Sequence, residues 1–203
     1  MKPFSTTIVL LSVFLLGSSW LLSGCTAAVV GGAVAGTSVA LDKRTTGDYV
    51  EDQNIKTKFA HLFYEDKELS EHTHVNVTSY NRQVLITGEV LNSRQLQQLT
   101  DIAHQIKNVR HVFNEAVVGI PTDMSSRTND SYITSKIKTS ILANIQELDG
   151  AQVKVVTENS VVFLMGLVTR EQADKVTEIA RTTDGVKKVV KLFEYPNPND
   201  KRI

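Results

Sequence analysis

The sequence predicts an α+β protein made of two tandem copies of one helix–strand–strand–helix–strand unit. The main observation is an internal repeat, in which residues 75–88 align without gaps on residues 153–166, 78 positions later. In both copies alternating valines lead to an Asn and then to a β-rich run that ends in Gly88 or Gly166, which is typical of a β-hairpin. We assign both glycines a structural role, because a glycine at the end of a strand gives room or an unusual backbone angle.

Helices are predicted on either side of each hairpin. Apolar residues mark the first helix of each copy at matching positions, Ile55 and Phe59 in one and Ile133 and Ile137 in the other. Apolar residues at three- and four-residue spacing mark the second helices, and residues 169–172 form a capping-box pattern at the start of one of them. A short apolar strand near residues 112–118 or 186–193 closes each copy. Three strands backed by two helices are close to the smallest size that folds alone.

The first 24 residues have the features of a signal peptide. Lys2 gives a positive start, residues 8–16 are almost wholly apolar, and Leu-Ser-Gly leads to Cys25. This ending resembles the lipobox of bacterial lipoproteins, which implies cleavage before Cys25 and attachment of acyl chains, palmitate among them, to that residue. Thr26 follows where an Asp often signals inner-membrane retention, so the resemblance implies delivery to the outer membrane.

The rest of the chain divides into a tether, two domains, a linker and a tail. Residues 25–47 are predicted to be the lipidated N-terminus and a flexible tether, with an interfacial or self-associating helix as the alternative. A helix over residues 27–41 would be about 22 Å long, which is less than the roughly 30 Å of a bilayer core. The predicted domains are residues 48–119 and 127–195, the linker is 120–126, and the polar tail is 196–203.

Composition excludes several classes of function. The chain has 22 Lys+Arg and 22 Asp+Glu, so it lacks the basic excess of a nucleic-acid-binding protein. A single cysteine excludes an internal disulfide and a Cys-rich zinc site. Without a nucleophile motif, a phosphate loop or HExxH, we expect no enzymatic activity and no cofactor. His72 and His74 would share one strand face, but they lack an obvious third ligand, so we expect no metal and solvent-facing histidines.

The paired units resemble BON domains, most closely at residues 129–136 (NDSYITSK) and 163–169 (FLMGLVT) of the second copy. The resemblance implies a mixed three-stranded sheet in each αββαβ domain. With the lipobox, it implies an outer-membrane lipoprotein on the periplasmic face. It further implies binding of phosphatidylglycerol through the second domain, enrichment at division sites and a role in envelope integrity. Tyr132 stands where the best-known member of the family carries a tryptophan at its lipid contact.

The first helix of the second copy also presents a candidate lipid surface of its own. Residues 131–146 contain no acidic residue, and the face opposite the apolar stripe combines an aromatic ring with lysines, as interfacial surfaces do. The candidate lipid-binding residues are Tyr132, Ser135, Lys136, Lys138, Thr139 and Leu142. Residues 46–120 carry seven basic and ten acidic side chains, whereas residues 127–195 carry ten and nine, so an anionic membrane should repel only the first domain.

A protein-interaction adaptor is the alternative function. The linker and the sheet edges would then bind an outer-membrane assembly machine or a cell-wall hydrolase regulator, and lipid contact would be incidental. Salt dependence separates the two functions, because salt screens lysine–lipid attraction but leaves an apolar contact largely unchanged.

Overall fold

The computed structural model describes residues 44–145, residue 148 and residues 152–196. These residues all belong to one compact unit, Leu41–Ile203. The predicted signal peptide, the lipidation site Cys25, the tether up to residue 43 and the tail beyond residue 196 lie outside the described residues. Among the helices that are described, none combines the length and the apolar character that a membrane crossing requires.

The first domain contains the five elements of the repeat in the predicted order, with one short extra helix and a closing strand that is divided into two segments. Its elements are α1 (Thr46–Glu65), α2 (Lys67–Ser70), β1 (His74–Tyr80), β2 (Gln83–Val90), α3 (Ser93–Gln105), β3 (His111–Asn114) and β4 (Val117–Val118). The central strand β2 pairs antiparallel with β1 and parallel with β3 and β4. Between β3 and β4 the Glu115 N–H donates to the Ile86 carbonyl oxygen of β2 at 2.9 Å, and the Ala116 N–H donates to Asn114 Oδ1 at 3.2 Å.

The second domain repeats this arrangement. Its elements are α4 (Met124–Asn144), β5 (Val153–Glu158), β6 (Val161–Leu167), α5 (Arg170–Thr182) and β7 (Lys188–Glu194). Strand β6 is central, antiparallel to β5 and parallel to β7. The predicted α+β class and the two αββαβ units with mixed sheets are therefore confirmed. Helix α4 begins at Met124, inside the stretch that the sequence assigned to the linker, because Asp123 caps it by accepting from Ser126 N at 2.8 Å.

Two helices cover one face of each sheet, and the predicted apolar stripes fill the space between them. On α4 the stripe Ile133, Ile137 and Ile141 is buried in the core of the second domain. On α1 the equivalent residues Ile55, Phe59 and Phe63 are buried in the core of the first domain. The predicted capping box at the start of α5 is also present. Both domains thus have an apolar core of their own between helices and sheet.

A buried aspartate holds each hairpin turn. The turn residues Asn159 and Ser160 both have positive φ, 49° and 64°, as two-residue hairpin turns require. Their N–H groups donate to the buried Asp130 carboxylate, each at 2.8 Å. In the first domain Asp52, 78 positions earlier, accepts from the N–H groups of Asn81 and Arg82 in the same way. The repeat therefore includes a carboxylate that fixes the hairpin to the preceding helix.

The two sheets pack against each other through the faces that their helices leave open. Tyr80, Leu85, Phe163, Met165 and Leu192 form an apolar cluster there. The Tyr80 hydroxyl donates to the Gln152 carbonyl oxygen at 2.9 Å, and His74 Nε2 lies 3.5 Å from Glu158 Oε1. Gln152 follows His74 by 78 positions, and Glu158 follows Tyr80 by the same offset. The two contacts are therefore equivalent under exchange of the domains, as in a two-fold symmetric interface.

Candidate functional site

A groove of about 1270 Å³ lies between α4 and α5 on the outer side of the second domain. It is open to solvent and has both apolar and polar walls, which are the features of a site for an amphipathic ligand. The α4 wall includes Tyr132, Ser135, Lys136, Thr139 and Ser140, and the α5 side includes Asp174, Lys175, Glu178, Ile179 and Thr182.

Four of the six predicted lipid-binding residues line this groove. They are Tyr132, Ser135, Lys136 and Thr139. Lys138 and Leu142 are exposed on α4 but are not among the lining residues. The structure therefore divides the predicted set between the groove and the neighbouring surface of the same helix.

Tyr132 and Lys136 form a single aromatic–cationic pair at the groove. The Tyr132 side chain is 62% exposed, and Lys136 Nζ lies 4.7 Å from the centroid of its ring. The same ammonium group donates to the Asp184 carbonyl oxygen at 2.8 Å, on the segment that follows α5. A cation over an aromatic face is attracted by the electrons of the ring. Lys136 is thus held beside the ring by two contacts, so the charge and the aromatic surface are presented together.

The α5 side of the groove carries acidic groups, which the charge pattern of α4 alone did not indicate. Glu178 lines the groove and forms an ion pair with Arg181 at 2.6 Å, which offsets part of its negative charge. Lys175 also lines the groove, and its hydrogen bond to Glu171 lowers the pKa of that carboxyl group. Asp174 and Asp184 also line the groove, so the positive charge on its α4 side comes from Lys136.

Lys138 belongs to a second group of basic residues, on the side of α4 away from the groove. Burial lowers the pKa of Lys154, and the positive charges of Lys138, Lys56 and Arg44 lower it further, in that order. Lys56 and Arg44 come from the first domain, so this basic group extends across both domains. The net negative charge of the first domain therefore does not exclude a local group of basic side chains at this position.

Glycine is required at both strand ends that the sequence marked. A Cβ at Gly88 would lie 1.9 Å from the His74 carbonyl oxygen, and Gly88 has φ of +115°. A Cβ at Gly166 would lie 2.7 Å from the Gln152 carbonyl oxygen, in ordinary backbone geometry. Neither space accepts a side chain without a shift of the neighbouring strand.

A polar cluster that the sequence analysis missed lies between the domains. Ligand atoms of His74, Glu89 and Glu158 all lie within 4.8 Å of one another. The expectation that His74 faces solvent is wrong, because its side chain is only 18% exposed. The sequence contains one indication of this cluster, because Glu89 interrupts the apolar strand β2. The proximity of Glu158 could not be predicted, because it depends on how the domains pack.

Two mixed sheets, each backed by its own helices and joined in tandem, define a protein with two BON domains. The family model for the BON domain matches residues 51–119 and 129–197, and the chain belongs to this family. The resemblance that the sequence indicated is therefore confirmed.

Three characterised relatives extend this result. The chain is 36% identical over 181 residues to the outer membrane lipoprotein DolP of Haemophilus influenzae, covering 89% of this chain and 93% of the relative. It is 34% identical over 155 residues to the 21 kDa hemolysin of Actinobacillus pleuropneumoniae, covering 76% and 79%. It is 27% identical over 158 residues to the osmotically-inducible protein Y of Escherichia coli, covering 76% and 78%.

Proposed function

We propose that this chain is a lipid-anchored outer-membrane protein on the periplasmic face, with a binding rather than a catalytic role. Its second BON domain binds anionic phospholipid, phosphatidylglycerol in particular, and it helps to maintain envelope integrity at division sites. Similarity to the outer membrane lipoprotein DolP supports the location and the lipoprotein class. The observation that carries the lipid-binding role is the pair formed by the exposed Tyr132 and the half-buried Lys136 at the α4–α5 groove.

The pair has the chemistry that a membrane interface requires. A tyrosine ring is stable at the level of the lipid headgroups, where its hydroxyl stays hydrated. A lysine near an anionic surface contributes roughly 1 kcal/mol of attraction. Binding by Tyr132 and Lys136 alone is therefore weak. Acyl chains at Cys25 make weak binding sufficient, because a tethered domain meets the bilayer at high effective concentration.

The first domain offers a matched comparison for these residues. Lys58 on α1 is the counterpart of Lys136, 78 positions earlier, and it is exposed. Asn54 is the counterpart of Tyr132, so the first domain has the lysine without the aromatic ring. We therefore expect lipid contact to depend on Lys136 and not on Lys58.

Co-sedimentation of the unacylated mature chain with vesicles tests the proposal. We expect binding to vesicles that contain phosphatidylglycerol, weaker binding in high salt, and little binding to neutral vesicles. Lys136→Glu should lower the affinity by roughly 10- to 30-fold, because it removes one attraction of about 1 kcal/mol and adds a similar repulsion. Lys58→Glu should leave the affinity unchanged. Equal losses for the two variants, or binding that ignores salt, would exclude a specific contact at the groove.

An apolar surface between the domains favours a second candidate function. Val117 and Val118 of the edge strand β4 are exposed, Ile120 is 89% exposed and Met124 is 71% exposed. Exposed apolar side chains this close together in the sequence are typical of a protein-contact surface. It would suit the adaptor role, with an outer-membrane assembly machine or a cell-wall hydrolase regulator as partner. A photo-crosslinking residue at position 120 should then form a protein adduct in intact cells, and one at Arg94 should not.

A further inference from the structure

Three metal-binding side chains converge at the interface between the two BON domains. His74 comes from β1, Glu89 from β2 and Glu158 from β5, so the two domains both contribute. One ligand atom of each lies within 4.8 Å of the other two. Glu89 is 3% exposed and Glu158 is 8% exposed. Two carboxylates this close and this buried repel each other unless a cation or a proton lies between them.

Outer hydrogen bonds orient the Glu158 carboxylate toward His74. Glu158 Oε2 accepts from Asn76 Nδ2 at 2.9 Å and from Thr87 Oγ1 at 3.2 Å. The other oxygen, Oε1, lies 3.5 Å from His74 Nε2. Metal-binding carboxylates are commonly held in this way by a second layer of donors, which fixes the oxygen that faces the ion.

The Glu89 carboxylate has one oxygen without a partner. Its Oε2 accepts from the N–H and the hydroxyl of Thr122, at 3.2 and 3.4 Å. Its Oε1 is buried and has no hydrogen-bond partner among the described residues. A buried carboxylate oxygen that lacks a donor is strongly unfavourable, so this atom points to a ligand that supplies positive charge.

The histidine is compatible with a metal-binding form. A neutral imidazole has one ring nitrogen with a lone pair, which is the form that coordinates metals. Asn76 Nδ2 lies 3.1 Å from His74 Nε2, so coordination through Nε2 displaces this contact. His74 and Glu158 line a cavity of about 460 Å³, which gives an ion access to the cluster. Arg127 lines the same cavity, and its charge opposes cation binding.

We propose that His74, Glu89 and Glu158 bind a zinc ion that bridges the two BON domains. One imidazole and two carboxylates are suitable zinc ligands, and a water molecule would complete the tetrahedron. Calcium and magnesium prefer sites made only of oxygen ligands. Tetrahedral zinc requires ligand atoms about 3.3 Å apart, so the three side chains, whose ligand atoms lie within 4.8 Å of one another, close by up to roughly 1.5 Å on binding. Because the ligands come from both domains, zinc stabilises the interface between them.

Calorimetric titration of the chelator-treated, mature chain in detergent micelles with zinc chloride tests this inference, which does not depend on lipid binding. We expect one zinc ion per chain. His74→Gln and Glu158→Gln should each weaken binding by at least about tenfold. His72→Asn is the matched control, because His72 is exposed, lies two residues away and is outside the cluster. Zinc should raise Tm by several degrees in the wild type and the control, but not in His74→Gln.

Two further measurements separate a lost ligand from a lost fold. Glu89→Gln keeps the size of the side chain and an oxygen for Thr122, so its fold should be retained while its zinc affinity falls. Far-UV circular dichroism of each variant checks the fold. The X-ray absorption spectrum of the zinc-loaded wild type should show one imidazole in a shell of nitrogen and oxygen ligands. Unchanged affinity in His74→Gln, or a spectrum without imidazole, would overturn the proposal.

Discussion

The Asp130 carboxylate joins α4 to the second hairpin, and its removal should destabilise the protein strongly. It is 4% exposed and accepts from two turn N–H groups, each at 2.8 Å. A hydrogen bond to a charged group contributes about 1.5–3 kcal/mol. Two such bonds give about 3–6 kcal/mol, of which water entering the vacated site recovers a part. We therefore expect Asp130→Ala to lower the free energy of unfolding by about 3 kcal/mol.

Urea unfolding followed by far-UV circular dichroism measures this loss. With a slope near 2 kcal/mol per molar urea, 3 kcal/mol corresponds to a midpoint shift of about 1.5 M. Asp174→Ala on the exposed side of α5 is the control, and it should change the free energy by less than about 0.5 kcal/mol. The reasoning fails if Asp130→Ala costs no more than this control.

The equivalent aspartate of the first domain, Asp52, provides a comparison for the loss of stability. Asp52 also accepts from two turn N–H groups, and it additionally accepts from Ser79 Oγ at 2.6 Å and from Arg44 at 2.7 Å. Its removal breaks more hydrogen bonds than the removal of Asp130, and one of them is to a guanidinium group. Asp52→Ala should therefore lower the midpoint more than Asp130→Ala. The opposite order would show that the number of donors does not determine the loss.

Three further outcomes are expected. Gly88→Ala should destabilise more than Gly166→Ala in urea titrations, because only Gly88 combines a clash with backbone at 1.9 Å and a positive φ; equal losses would contradict this. The pKa of Lys154 is lowered by burial and by Lys138, so its charge opposes folding until the pH rises through that lowered pKa. Lys138→Gln should thus raise the free energy of unfolding by about 0.5 kcal/mol at pH 7, and the gain should shrink as alkaline pH removes the charge of Lys154; a gain that persists at high pH would refute the charge mechanism. Tyr80→Phe should lower the free energy of unfolding by about 1 kcal/mol, because it removes the 2.9 Å hydrogen bond from the Tyr80 hydroxyl to the Gln152 carbonyl oxygen; an unchanged free energy in thermal unfolding would contradict this.

Local sequence patterns predicted the fold well because each hairpin and helix pattern occurs twice, at equivalent positions of the repeat. The Asn at each hairpin turn, the isoleucine stripe on α4 and the capping box of α5 are all determined by residues close in the chain. Asp52 and Asp130 were visible in the same alignment, three positions before Ile55 and Ile133. Their role was missed because a helical aspartate is ordinarily exposed, and only the tertiary contact with the turn shows why these two are buried.

Contacts between residues far apart in the chain could not be predicted from the sequence. The helical wheel of α4 identified Tyr132 and Lys136 but could not show that α5 brings Glu178 to the same groove. Likewise, pairing of His74 with Glu158 depends on two sheet faces meeting, and neither strand pattern specifies its partner sheet. The split of Lys138 from the groove has the same origin, since its neighbours Lys56 and Arg44 come from the other domain.

The equivalence of the Tyr80–Gln152 and His74–Glu158 contacts means that the two domains pack like the subunits of a symmetric dimer, but within one chain. Each half covers an apolar sheet face of the other, including Leu85 on one side and Phe163 on the other. A half released from the chain would expose that apolar face to solvent. Because the two halves are joined in one chain they need not be identical, so α4 can carry Tyr132 where α1 carries Asn54.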